Sequence, residues 1–321
     1  MAAVSLLVGV TTPTGFPPFH LHPDVFLVTA ALALSYWWAL ARLGPRVVPA
    51  GEAVASRGNI ICYSIAVFTI WIFAEWPIHD LAERYLFSVH MVQHLVFTTV
   101  AAPLLLLGLP PWLMRRLLVE PKHVRAVVRQ VTRPVVALVI FNAFLVLTHW
   151  PAVTNETTHN EVFHFGVHSV MFVTALILWM PMINQLPELP RMSYPQRMIY
   201  LFLQSFVPTI PASFLTFSTG VVYKAYAGRP ELLGFSAVSD QQVAGAIMKI
   251  GGGAILWGIA TYTFFKWVGE EQQRDRLERE TSKAAAVSAA PVGVGEEETL
   301  PATLTWDDVA RELERVPPPR E

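Results

Sequence analysis

The chain has 321 residues, 53% of them hydrophobic and 15% charged, with a mean hydropathy of +0.44. That balance excludes an ordinary soluble domain and predicts a polytopic membrane protein with the lipid bilayer as its surroundings. The single cysteine, Cys62, excludes an internal disulfide or a paired-cysteine metal motif, and the net charge of −1 singles out no partner by itself; nucleic acid is not expected.

In chain order, Met1–Val10 is apolar but has no basic leader and is far shorter than the ~20 residues a bilayer span needs. Residues 1–23 are expected as an extracytoplasmic tail, exported or interfacial. Seven apolar segments follow, near Val25–Leu43, Asn59–Trp76, Val89–Leu109, Pro134–Trp150, Val162–Met182, Met198–Phe217 and Val243–Trp267. The expected fold is all-α, a bundle of seven transmembrane helices over residues 24–268, because a backbone in lipid must satisfy its own hydrogen bonds.

Basic residues alternate between the connections. The first holds Arg42, Arg46 and Arg57; the third holds Arg115, Arg116, Lys122, Arg125, Arg129 and Arg133; the fifth holds Arg191 and Arg197. The connections between these are poor in Lys and Arg. The positive-inside rule then puts the N-terminus outside and the C-terminus in the cytoplasm. Residues 269–321 read as a cytoplasmic tail. A mixed-charge helix over Glu270–Lys283 is expected first, then a flexible linker over Ala284–Gly295. A short amphipathic segment follows from Thr305, with Val309, Leu313 and Val316 on one stripe.

On that frame nine of the ten histidines fall at one membrane face; only His123 is on the other. His90 and His94 open the third segment, and His164 and His168 open the fifth. Residues four apart share one helix face. Neutral imidazole is a good ligand for copper, zinc, iron and nickel, and two such pairs at one depth predict a shared metal site, with hydrogen-bonded helix packing as the plainer alternative. His149 and His159 flank the same region, as ligands or as interfacial anchors. His20, His22 and His79 read as solvated loop residues, with ion capture as the alternative. Met91, Met171 and Met248 lie in the same halves of their helices, as core filler or as thioethers that favour cuprous ion. Asp240 is expected to cap the seventh helix. Lys249, inside that helix, is either functional or snorkels outward. Trp112, after Pro110 and Pro111, reads as an anchor at a helix end, and Trp179-Met-Pro181 as a kink or stop, with anchoring as the plainer alternative.

His90-Met-Val-Gln-His94, the Ala-Pro103-Leu-Leu-Leu-Leu-Gly108-Leu-Pro110 after it, His149-Trp-Pro151, His159…His164…His168, Trp179-Met-Pro181 and Asp240-Gln-Gln-Val-Ala-Gly245-Ala-Ile-Met248 together resemble the CtaG family of seven-helix assembly factors for caa-type cytochrome c oxidase. The resemblance covers roughly residues 20–270. It implies a bacterial plasma-membrane protein that is not an enzyme. It also implies oxidase subunits as partners and a role in maturing the oxidase's copper centres.

The function expected from the histidines and the resemblance together is copper binding at the extracytoplasmic face and insertion into the oxidase. His90, His94, His164 and His168 are the primary candidate ligands, with His149, His159 and Met248 assisting. Rival classes are a membrane metalloenzyme with histidine ligands, a metal transporter and a haem protein. The first lacks the His-x-x-His-His boxes of di-iron enzymes. The second lacks polar groups in the cytoplasmic halves of the segments.

Overall fold

The computed structural model describes residues 17–183, 185–227, 234, 236–289 and 311. The described residues are helical with no strand. The helices are α1, Pro23–Trp38; α2, Arg57–Ala74; α3, Ile78–Arg84; α4, Phe87–Gly108; α5, Pro111–Leu118; α6, Lys122–Val131; α7, Pro134–Thr148; α8, Pro151–Thr157; α9, Glu161–Ile183; α10, Tyr194–Phe217; and α11, which runs from Ala237–Ala246 through a π turn, Ile247–Gly251, into Gly252–Ala289. The expected tail at Met1–Val10 and the stripe of Val309, Leu313 and Val316 lie outside the described residues.

Local chemistry explains many of the starts. Pro23, Pro111, Pro134 and Pro151 each stand at the first helical position, where no N–H is needed. Ser56 and Asn59 form a capping box at α2. The Asn160 side chain accepts from Phe163 N at 3.0 Å, closing the first turn of α9.

Six helices are long and apolar enough to cross a bilayer: α1 extended to Val47, α2, α4, α9, α10 and α11. The seventh expected span differs from a straight rod. α7 has 15 residues, about 22 Å at 1.5 Å per residue against a hydrocarbon core of about 30 Å. It follows the basic, amphipathic α6 across a 79° bend, and the two together have the length and hydropathy of a broken span or a re-entrant turn. Arg133-Pro134 supplies the break, since the residue before a proline avoids the helical region; Arg133 is extended, with ψ 132°.

The two histidine-bearing helices are the central ones. Half of the apolar window of α9 and 44% of that of α4 is buried, against 11–28% in the other four. Large apolar side chains such as Val135, Phe214 and Ile250 are exposed, as a lipid-facing surface requires. The core joins Phe141, Met171, Ala175, Leu178 and Trp179 with Leu106 and Met114.

The chain divides into two compact units, Met1–Val268 and Gly269–Glu321. In the second, the helix carries exposed mixed charge and reaches Ala289. The first part of the expected linker, Ala284–Ala289, is therefore helical; alanine's high propensity accounts for that.

Candidate metal centre

α4 begins where it does because of a residue on another helix. Leu86 gives no side-chain cap. Instead the Asp240 carboxylate of α11 accepts Phe87 N at 2.6 Å and Ser88 N at 3.2 Å, and takes the Ser88 hydroxyl as well. Its negative charge also suits the helix N-terminus. Asp240 therefore caps α4, whereas α11 is capped by Ser236, whose hydroxyl accepts from Ser239 N. The expected self-cap is replaced by a tie between two spans, and it sits one turn from His90.

Within α4 the rings of His90 and His94 lie 4.3 Å apart, and within α9 those of His164 and His168 lie 4.0 Å apart and stacked. The pairs meet. His94 and His168 have ring centroids 4.6 Å apart and Nε2 atoms 2.7 Å apart. His90 lies 5.2 Å from His168 and 6.1 Å from His164. His149, at the end of α7, lies 6.5 Å from His94.

Glu83, on α3, sits between the two pairs. His90 Nδ1 donates to its Oε1 at 3.1 Å, and His164 Nδ1 lies 3.1 Å from its Oε2. Burial alone would raise the Glu83 carboxyl. The His164 and His90 imidazoles outweigh that and hold it well below the usual carboxylate range. An ionised carboxylate only accepts, so it favours the proton on Nδ1 of both rings and leaves Nε2 as the lone-pair nitrogen. Carboxylates orient metal-binding histidines in this way.

Backbone carbonyls do the same for two more rings. His168 Nδ1 donates to His164 O at 3.1 Å, and His149 Nδ1 donates to Leu145 O at 2.7 Å. His149 Nε2 is then a buried nitrogen with no hydrogen-bond partner. Such a group costs free energy unless something binds it.

Beneath His94 and His149 lies a cavity of about 70 Å3, lined by Met91, Met171 and Met248 along with Thr98, Trp179 and Gln204. Two π turns shape it, Phe97–Ala101 in α4 and Ile247–Gly251 in α11; such turns recur at functional sites. Trp179 Nε1 donates to Thr98 O, inside the first of them, at 2.7 Å. Trp179 is thus buried against α4 and does not act as an interfacial anchor.

The structure brings His90, His94, His164, His168 and His149 together, with Met248 on the cavity wall. His159 is exposed and stands apart from these groups. Lys249 is also exposed. Two residues expected to be solvated join the cluster instead: His79 lies 5.8 Å from His164 and His22 lies 4.6 Å from His79, ring to ring. Burial pushes the His79 imidazole down to about 4, so it is neutral at pH 7.

The donor atoms fall into sets. Those of His90, His94 and His168 lie within 4.8 Å of one another, as do those of His79, Glu83 and His164. Imidazole binds a metal at about 2 Å, so a modest inward movement closes either set on one ion. Neutral imidazoles, a carboxylate that orients them and nearby thioethers form a donor set that fits copper.

Fold and site together define a polytopic membrane protein with a histidine centre at one end of its bundle. The model of the cytochrome c oxidase caa3 assembly factor family (Caa3_CtaG) matches residues 34–270, and the chain belongs to that family. No curated protein and no solved structure matches the chain.

Proposed function

We propose that this assembly factor binds copper at the extracytoplasmic membrane face and helps insert it into the oxidase, without catalysing a reaction. His90, His94, His164 and His168 are the primary ligands, His149 and Met248 assist, and His159 stands at the exposed rim. The ion is cuprous, the form favoured by thioethers beside imidazole. The partner is an oxidase subunit that receives the ion.

One observation carries the reading. Nδ1 of His90, His168 and His149 is engaged by a carboxylate or a carbonyl, and Glu83 faces Nδ1 of His164. Nε2 is left to each ring as its ligand atom, and the rings are gathered from three helices. A packing role alone would have paired His149 Nε2 as well.

The outward placement of this end of the bundle rests on the alternation of Lys and Arg between connections. The experiment is copper loading of purified protein. Wild type holds a cuprous equivalent that the His94→Ala/His168→Ala variant loses. Equal loading of the two, or iron as the metal that co-purifies, defeats the reading.

A further inference from the structure

Outside this centre, the segment before α1 is fastened onto the corner between α2 and α3. Trp76 Nε1 donates to Pro17 O at 3.3 Å, and the Phe19 and Trp76 rings meet edge to face at 5.4 Å. His22 N donates to Glu75 Oε1 at 3.0 Å, and His22 Nε2 lies 2.9 Å from Asp80 Oδ2. These ties bring the His20 ring to 4.9 Å from that of His22. The donor atoms of His20, His22 and Asp80 all lie within 4.8 Å of one another.

The charges around this set are unbalanced. Asp80 is 1% exposed and Glu75 is 8% exposed. Arg84 Nε lies 3.4 Å from Asp80 Oδ1 and is more than half exposed. Glu75 Oε2 is buried with no hydrogen-bond partner. A buried carboxylate oxygen without a partner is costly, and a cation beside it removes the cost.

We propose that His20, His22 and Asp80 form a second metal site, for a first-row divalent cation, with the Glu75 carboxylate adding negative charge beside it. Two imidazoles and a carboxylate make a mixed nitrogen and oxygen donor set, which binds Cu(II) most tightly among the first-row divalent ions. Asp80 is fixed and buried while His20 is exposed, so the site is anchored at one side and open to solvent at the other. Its position is the entrance: the rings of His22, His79 and His164 follow one another inward at 4.6 and 5.8 Å. The site does not depend on the inner centre holding copper, and its test separates the two.

The test uses the full chain in detergent carrying His94→Ala/His164→Ala/His168→Ala, which removes ligands from both inner sets, titrated at equilibrium with Cu(II) and read by electron paramagnetic resonance. One equivalent with nitrogen hyperfine coupling is expected. Adding His20→Ala/His22→Ala abolishes that signal, and adding His20→Ala alone weakens binding at least tenfold, since His20 is an exposed residue whose loss leaves the fold intact. No tight equivalent in the first variant, or an unchanged signal after the His20 and His22 substitutions, overturns the proposal.

Discussion

Nε2 of His94 and Nε2 of His168 lie 2.7 Å apart, one on α4 and one on α9. His168 donates through Nδ1, so its Nε2 carries the lone pair and His94 supplies the proton between them. A metal ion replaces that proton only if the neutral His94 ring shifts its hydrogen to Nδ1. The contact is therefore both a helix tie and a closed form of a ligand pair.

From this geometry the assisting histidines separate. His149 is aimed into the cluster with an unpartnered Nε2, and His159 is exposed and apart from it. His149→Ala is expected to weaken cuprous binding at least tenfold, and His159→Ala to change it less than twofold. Competition against a chromophoric cuprous chelator measures both. Equal losses from the two substitutions contradict the arrangement.

Glu83 holds two rings from two helices, so its charge matters more than its bulk. Glu83→Gln keeps the shape but presents an amide whose N–H2 faces one of the two Nδ1–H groups. A loss of 10–100-fold in metal affinity is expected, the usual cost of losing such an orienting partner. The same chelator competition reads it, and unchanged affinity removes Glu83 from the centre.

The α4–α11 tie through Asp240 gives a stability prediction. Asp240→Asn keeps one acceptor oxygen and loses the charge that faces Phe87 N and Ser88 N. Hydrogen bonds to a charged group contribute about 1.5–3 kcal/mol, so a loss in that range is expected. Thermal unfolding in detergent is lowered by several degrees, and copper is released at lower temperature because α4 frays beside His90. A variant as stable as wild type rules the cap out.

The spans and the two histidine pairs were legible because both are periodic signals within one helix. Length and hydropathy mark the spans, and a spacing of four marks each pair. Glu83 was not legible as an orienting group. His79 and Glu83 have the same spacing of four, but α3 is a seven-residue helix between two spans, and its charge reads as a solvated loop. Only the fold shows that this corner turns inward. The bend at Arg133-Pro134 is written in the proline, yet its 79° angle is not. Asp240 illustrates the same limit: an acidic residue at a helix start suggests a cap, and sequence alone does not say of which helix.

α4 packs tightly against α2 at Gly108. A Cβ there would stand 2.6 Å from Tyr63 N, Cα and Cβ, which are backbone or rigidly held atoms that cannot swing aside. Tyr36 OH donates to Gly108 O at 3.0 Å, and the Tyr36 and Tyr63 rings stack at 3.8 Å. Gly108→Ala therefore has to push α2 off α4 and stretch that hydrogen bond. Overpacking of this kind costs about 1–3 kcal/mol, and a lower unfolding temperature and lower yield in membranes are expected. Gly253→Ala is the control, since a Cβ there meets nothing within 4 Å, and it is expected to be neutral or slightly stabilising through helix propensity. Because Gly108 lies at the opposite end of α4 from His90 and His94, copper stoichiometry of the surviving folded Gly108→Ala protein is expected to match wild type, which separates a packing loss from a ligand loss.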